Sequence, residues 1–573
     1  MSQRLVVDPI TRIEGHLRIE VVVDDEGVVK EAYSGSTLWR GIETIVRGRD
    51  PRDVGFFTQR ICGVCTFSHY KAGIMAVENA LGINPPLNAI LTRTLMNTAL
   101  FLHDHPVHFY QLHALDFVDI VSALSADPRA ASEEAFKYCD TPYACGADQL
   151  KAVQDKVKKF VEKGALGPFA NAYFGHSTYH LTPEQNLIAL SHYLECLRIQ
   201  RTAAQMMAIF GGKQPHPQSL TVGGVTCVMD IMSPARLGEY MVKLQEVADF
   251  VNRAYYPDLV MAGKAYANEP SVLNDVGVTN LWTHQEFQLS ANEWLFESGL
   301  IDGGDISKVL ELDESKITEE ATHSWYKNDK PLHPYDGEQD PNYTGFKVEQ
   351  TLNAKGEMES TKVFDTANKY SWIKAPRYDG KPYQVGPLAN IVINYAKGNK
   401  YVVPVVDKFL ADTGLPLAAV FSTLGRTACR MLEAKIVADN AIIAFNNLVA
   451  NIKSGDTETC AKYSIDKNKS YKGRYIGHVP RGTLSHWCRI ENGVVKNWQA
   501  VVPSTWNASP KDSKGQMASY EACLIGLKIA DLTQPLEIIR KIHSYDPCIA
   551  CAVHVMDTKG NKLSEYKVNP NLC

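Results

Sequence analysis

No stretch of this sequence is apolar for long enough to cross a bilayer, which takes about 18 to 20 consecutive residues. The N-terminus, Met1 to Ile10, also lacks the apolar core of a secretory signal. These two absences predict a chain with no anchor or export address of its own, tied to a membrane only through a partner. Basic blocks are missing as well. With a net charge of −5 and a pI near 6.4, no patch suits a phosphate backbone, so nucleic acid is not an expected partner. There is no internal repeat and no low-complexity tract. The 13 cysteines are odd in number and widely spread, which is not a disulfide framework. What remains is an ordinary globular composition, 45% hydrophobic and 21% charged, on 573 residues, ample for a large core.

Local patterns give the fold class. His16–Val23 and Val28–Ser34 flank the turn Asp24–Gly27 and predict a β-hairpin. From His69 to Leu81 apolar residues recur at helical spacing until Gly82. A longer periodic stretch runs from Asn88 to about Leu124, with Pro106 as a kink. Thr182-Pro183-Glu184-Gln185 carries an N-cap, a proline at the first helical position and a capping-box glutamine. That helix should close at Gly211-Gly212, another should start at Ser233-Pro234, and a fourth should run from Leu415 to about Asn451. Four long helices predict a mainly helical α+β chain with a central bundle and peripheral short sheets. The expected organisation is a single domain over 1–573. Its parts are a β-hairpin and first cysteine motif (1–85), a helical bundle (86–300), a loop-rich excursion (301–395), a helix, short strands and second cysteine motif (396–554), and a tail (555–573).

The chemistry sits in two cysteine pairs at opposite ends, Cys62-Gly-Val-Cys65 and Cys548-Ile-Ala-Cys551. A CxxC unit aims two sulfurs at one point, and two such units make a four-sulfur metal site. Structural zinc is the bland reading. Against it, zinc ribbons close within a few dozen residues because small modules need the metal to fold, and a large chain with its own core does not. Arg60, His69, Asp546 and His554 also crowd the pairs with titratable groups. Thiolates suit nickel and low-valent iron, and one sulfur can bridge two metals. Cys65 would stand just before a helix N-terminus, where the dipole favours a thiolate. The other nine cysteines lack ligand spacing and read as small apolar side chains, mostly buried.

The full motifs, Arg60-Ile-Cys62-Gly-Val-Cys65-Thr-Phe-Ser-His69 and Asp546-Pro-Cys548-Ile-Ala-Cys551-Ala-Val-His554, resemble the two signatures of the nickel–iron hydrogenase large subunit. The likeness runs nearly end to end. It implies nickel held by Cys62, Cys65, Cys548 and Cys551, with Cys65 and Cys551 bridging to an iron that carries carbon monoxide and cyanide. Further matches imply roles one at a time. His69 would donate to a bridging thiolate. Arg481, in Pro480-Arg-Gly482, would lie over the open metal position, and Ser504 would hydrogen-bond a cyanide. Asp104 and Asp546 would be carboxylates around the site. Glu14, in Thr11-Arg-Ile-Glu-Gly-His16, would relay protons from a terminal cysteine. Glu43, His554 and the carbonyl of Ala500 would hold magnesium, a hard cation suited to oxygen ligands. His103, His105 and His108 read instead as hydrogen-bonded packing.

The implied reaction is reversible heterolytic cleavage of H2 to protons and electrons. Outside the two pairs no cysteine pattern suits an iron–sulfur cluster, so an iron–sulfur small subunit is required by subtraction. The wording of Thr37–Thr44 and Cys62–His69 is most like the membrane-bound, quinone-reactive uptake class. That class implies a cytochrome b partner and a place on the periplasmic face of the membrane, reached together with the small subunit. Family members finish their mature chain at the second motif's histidine. The 19 residues after His554 are therefore expected to be removed by a maturation endopeptidase. The rival readings are a zinc-stapled, non-catalytic structural subunit of a respiratory redox complex and a hydrogenase-derived quinone reductase subunit, whose kind lacks the four ligands.

Overall fold

The computed structural model describes residues 3–549, except 165, 171, 274, 276 and 353–357. It opens with an antiparallel sheet of β1 (Gln3–Val7), β2 (Leu17–Val23) and β3 (Val29–Ser36), the last two forming the hairpin read from the sequence. Helix α1 (Thr66–Leu81) starts with Cys65 as its N-cap and ends at Gly82, whose φ of 66° needs no side chain in the way.

Four long helices build the bundle. These are α2 (Leu87–Val107), α3 (Pro183–Gly211), α4 (Pro234–Phe250) and α5 (Thr423–Lys453). Helix α2 packs against α3 and α5, and α4 against α3 and α5. The Thr182 hydroxyl accepts from Gln185 N–H at 3.2 Å while the Gln185 side chain accepts from Thr182 N–H at 3.1 Å, as the capping box requires. Pro106 removes a donor inside α2, and beyond Val107 the backbone widens to a π-helix over His108–His113. The stretch expected to reach Leu124 thus ends as an α-helix earlier. Helix α5 starts eight residues after Leu415, because Leu417–Val420 form a 3-10 turn and the Ser422 hydroxyl caps Gly425 N–H.

Two other expectations change in detail. Residues 473–507 hold three long antiparallel strands, β4 (Tyr471–Val479), β5 (Gly482–Glu491) and β6 (Val494–Val501), rather than short ones. This sheet is internal: β5 is buried along most of its length and packs on α1. The excursion 301–395 is more ordered than its polar composition implied. It contains an antiparallel hairpin of Phe346–Leu352 with Met358–Phe364, and buries Trp325, Tyr370 and Trp372. The two tryptophans join β1–β3 and residues around 520–549 in a second, smaller core, while Tyr370 packs with Tyr33 and Phe364. The bundle, α1 and the internal sheet share the main core. Helix α6 (Leu536–His543) leads from the second core toward the final described residues.

Candidate metal centre

The Cys62-Gly-Val-Cys65 turn is held by its own backbone. The N–H groups of Val64 and Cys65 both point at Cys62 Sγ, each at 3.2 Å. Such donors stabilise negative charge on sulfur. From the other end of the chain, Cys548 brings its Sγ to 3.3 Å from Cys62 Sγ and 3.9 Å from Cys65 Sγ. All three cysteines are at most 4% exposed. Three sulfurs within 4.8 Å of one another, in a dry site, form a soft donor set. Cys551 and His554 lie outside the described residues.

Cys548 reaches this point through a two-stranded splice. Glu14 N–H donates to the Pro547 carbonyl at 3.2 Å, and Ile549 N–H donates to the Glu14 carbonyl at 2.8 Å. The pairing puts Glu14 Oε2 3.4 Å from Cys548 Sγ. Cys548 N–H donates to the Ser504 hydroxyl at 3.1 Å. Ser504 follows β6, so the internal sheet sets the depth of the second motif. Asp546 turns the chain into place with a φ of 56°, a strained region for a residue with a Cβ.

Arg481 crosses above the sulfurs from the tight turn between β4 and β5. Its Nη1 donates to Asp104 at 3.0 Å, and its Nε lies 3.1 Å from Asp546. Arg430 of α5 also approaches Asp546, at 3.4 Å. Burial works against charge on Asp104, but His103 and Arg481 hold its pKa below the ordinary value. Burial and the Asp104 charge push Asp546 up, with both arginines opposing. The two carboxylates thus differ in acidity although both pair with Arg481. Cys65, His69, Arg481, Ser504 and Cys548 line one small cavity against Val479, Leu484, Val502 and Pro503. A soft sulfur set beside a buried arginine and a serine hydroxyl fits nickel and iron.

His69 also borders this cavity, and its Nδ1 pairs with His486 Nε2 at 3.1 Å. Burial pushes its pKa down to about 4, with Arg481 adding to the effect and Cys62 opposing it, so the ring is neutral. His486 was not singled out from the sequence. It lies on β5, 417 positions away, and nothing local marks it. The three clustered histidines behave as packing: His103 pairs with Asp104 at 2.9 Å, His105 with Glu433 at 3.0 Å, and His108 with the His543 carbonyl at 2.8 Å.

Glu43 lies apart from the sulfurs, beside β6. Its Oε1 accepts from Ala500 N–H at 2.8 Å. Desolvation pushes its pKa up, Lys374 opposing. Close by, burial and the Glu43 charge raise Glu319 to about 7 against Lys374, and Glu319 Oε2 is buried with no hydrogen-bond partner. Lys374 itself donates to Gln499 at 3.0 Å. Two buried carboxylates, one with an oxygen that has no hydrogen-bond partner, suit a hard divalent cation, so the residues present fit magnesium. Glu319, Lys374 and Gln499 were missed in the sequence because the polar excursion gave no pattern to read.

A family model described as nickel-dependent hydrogenase matches residues 40–554. The chain belongs to the nickel-dependent hydrogenase family. A second model, described as HoxL-like, matches residues 4–34. The quinone-reactive Ni/Fe-hydrogenase large chain of Wolinella succinogenes is 65% identical, covering 100% of this chain and 99% of that one. The uptake hydrogenase large subunit of Rhizobium leguminosarum is 44% identical over 99% and 98% of the two chains. Among solved structures, the reduced Ni-Fe-Se hydrogenase of D. vulgaris Hildenborough superposes with a TM-score of 0.77 at 32% identity, covering 97% of this chain and 100% of that one. As a hydrogenase large subunit the chain belongs to an enzyme of nickel and iron chemistry, and the zinc-staple reading falls.

Proposed function

We propose that this chain is the catalytic subunit of a quinone-linked uptake hydrogenase. It would cleave H2 heterolytically and pass electrons to an iron–sulfur small subunit, then through a cytochrome b to quinone. One observation carries the reading: cysteines 486 positions apart converge, buried, with a carboxylate 3.4 Å from one sulfur. The likeness to the quinone-reactive large chain of Wolinella succinogenes supports the quinone link.

When bound, nickel and iron supply the electrophilic centre that polarises H2 and accepts its electrons. Cys62, Cys65, Cys548 and Cys551 would hold the pair, and Ser504 and Arg481, which line the cavity with Cys65 and Cys548, would offer hydrogen bonds to carbon monoxide and cyanide on the iron. The protein's own part is to manage the proton. Arg481, steadied by Asp104 and Asp546, holds positive charge above the open position and orders whatever accepts the proton there. Cys548 passes a proton to Glu14, and Glu14 hands it outward. His69, neutral and buried, fixes the sulfur environment without adding charge. Glu43, the Ala500 carbonyl and His554 would hold magnesium, which would tie the C-terminal segment to the internal sheet.

Two further parts concern maturation and location. Removal of 555–573 by an endopeptidase would free His554 to reach the magnesium site. Among the described residues no helix is long and apolar enough to cross a membrane, so a place on the periplasmic face would depend on the small subunit and the cytochrome. The central test is Glu14→Gln. Nickel content should be retained while H2/D+ exchange falls strongly, and unchanged exchange refutes the relay.

A further inference from the structure

Behind the Glu14–Cys548 splice lies a buried cluster that the proposed reaction does not use. Asp116, on the 3-10 turn after the π-helix, is fully buried, as is His543 at the end of α6. His543 Nδ1 lies 2.6 Å from Asp116 Oδ2, and His543 Nε2 lies 2.8 Å from the Thr11 carbonyl. Arg12 donates to the other oxygen, Asp116 Oδ1, at 2.6 Å and to the Leu112 carbonyl at 2.5 Å. The Arg12 backbone sits at a φ of 55°, a conformation that persists only where its surroundings impose it.

Together with His113, Asp116 and His543 have the donor types of a metal site. The hydrogen bonds point elsewhere. Both ring nitrogens of His543 are engaged, Nδ1 with the Asp116 carboxylate and Nε2 with the Thr11 carbonyl, so neither is free for a metal. Arg12 and His543 hold Asp116 ionised against its burial, its pKa driven far below the ordinary value.

Both partners lead to one place. Thr11 and Arg12 precede Glu14 by three and two residues, and His543 precedes Cys548 by five. One carboxylate therefore pins the strand that carries the base and the segment that carries the sulfur. The gap between them, 3.4 Å, leaves little tolerance, since a shift of about 1 Å is enough to break a proton-transfer geometry.

We propose that Asp116, acting through His543 and Arg12, is the positioning residue that sets Glu14 against Cys548. The proposal rests on the Glu14 relay described above. Its chemical signature is selective. Converting para-hydrogen to ortho-hydrogen needs the H–H bond to open and close at the metals, with no proton leaving. H2/D+ exchange needs the proton to leave.

The experiment uses the mature two-subunit enzyme carrying Asp116→Asn, with His543→Gln as a second variant of milder shape change. Nickel content and both conversions are measured. We expect nickel and para–ortho conversion near wild type, with H2/D+ exchange down by roughly tenfold or more. Arg12→Lys, which cannot span both of its acceptors, should show a smaller loss of the same selective kind. Wild-type exchange in Asp116→Asn overturns the proposal, as does wild-type exchange in His543→Gln where Asp116→Asn does not fold, and so does a parallel fall of the two conversions, which marks damage to the metal centre. Glu14→Gln, run alongside, separates the two readings. If it keeps exchange, the relay and the clamp both fall. If it loses exchange while Asp116→Asn does not, the clamp alone is wrong.

Discussion

The two cysteine motifs reach the same point by different means. Cys62 and Cys65 belong to a tight turn that caps a 16-residue helix, and both are embedded in the main core. Their placement is local: the turn's own N–H groups face Cys62, and α1 continues directly from Cys65. Cys548 has no such frame. It follows an eight-residue helix and a left-handed aspartate, and depends on Glu14, Ser504 and Arg481 from three remote segments. Cys548 packs on the main core while its neighbour Ile549 packs in the second one. The first motif is a preformed half-site. The second is assembled by tertiary contacts at a boundary between two cores.

That contrast can be broken at several points. The most severe is Cys548→Ala, which removes one of the three clustered sulfurs. H2 oxidation and nickel content should both fall to background, with α1 and the bundle unchanged by circular dichroism; a normal nickel content would show that the first motif suffices. Arg481→Lys tests the arch over the sulfurs. Lysine cannot bridge Asp104 and Asp546 at once, so the rate should fall ~100-fold with nickel retained. A loss of nickel instead would make Arg481 part of the second motif's scaffold rather than of the chemistry.

Glu521 probes the core behind the second motif. It accepts from Ser34 N–H at 3.0 Å and from the Tyr370 hydroxyl at 2.9 Å, and burial raises its pKa from 4.5 to about 7. The folded state then binds more protons than the unfolded one between those values, so stability falls as pH rises through that window. The Glu521 contribution should be on the order of 3 kcal/mol, and Glu521→Gln should flatten the slope seen by denaturant unfolding across it. An identical slope in the variant would mean that Glu521 is ionised throughout. The mildest change is Ser504→Ala, which leaves Cys548 N–H buried without its acceptor. It should cost about 1–2 kcal/mol, read as faster hydrogen exchange near 546–549 and little change in α1. Equal protection in both segments would erase the distinction between the motifs.

The same division governs what could be read from the sequence. Features with a local signature were legible: the Thr182 capping box, the stop at Gly82, the hairpin around Asp24–Gly27 and the CxxC spacings. Family likeness named Arg481, Ser504 and Glu14, and all three lie at the sulfurs. What stayed hidden depends on partners hundreds of residues away. His486, Glu319, Lys374 and Asp116 sit in ordinary surroundings along the chain, and only the tertiary fold makes them neighbours of the sites. The excursion 301–395 misled because its tryptophans and tyrosines are spaced too irregularly to show a buried face.

The splice of Glu14 with Pro547 and Ile549 also bears on how the molecule is made. Glu14 and Cys548 stand 534 positions apart, so their meeting closes a loop of nearly all the described residues. Such long-range closure is rewarded only after its ends are already held near each other. The pocket is therefore expected to close late in folding, once the sheet at one end and the core at the other are in place.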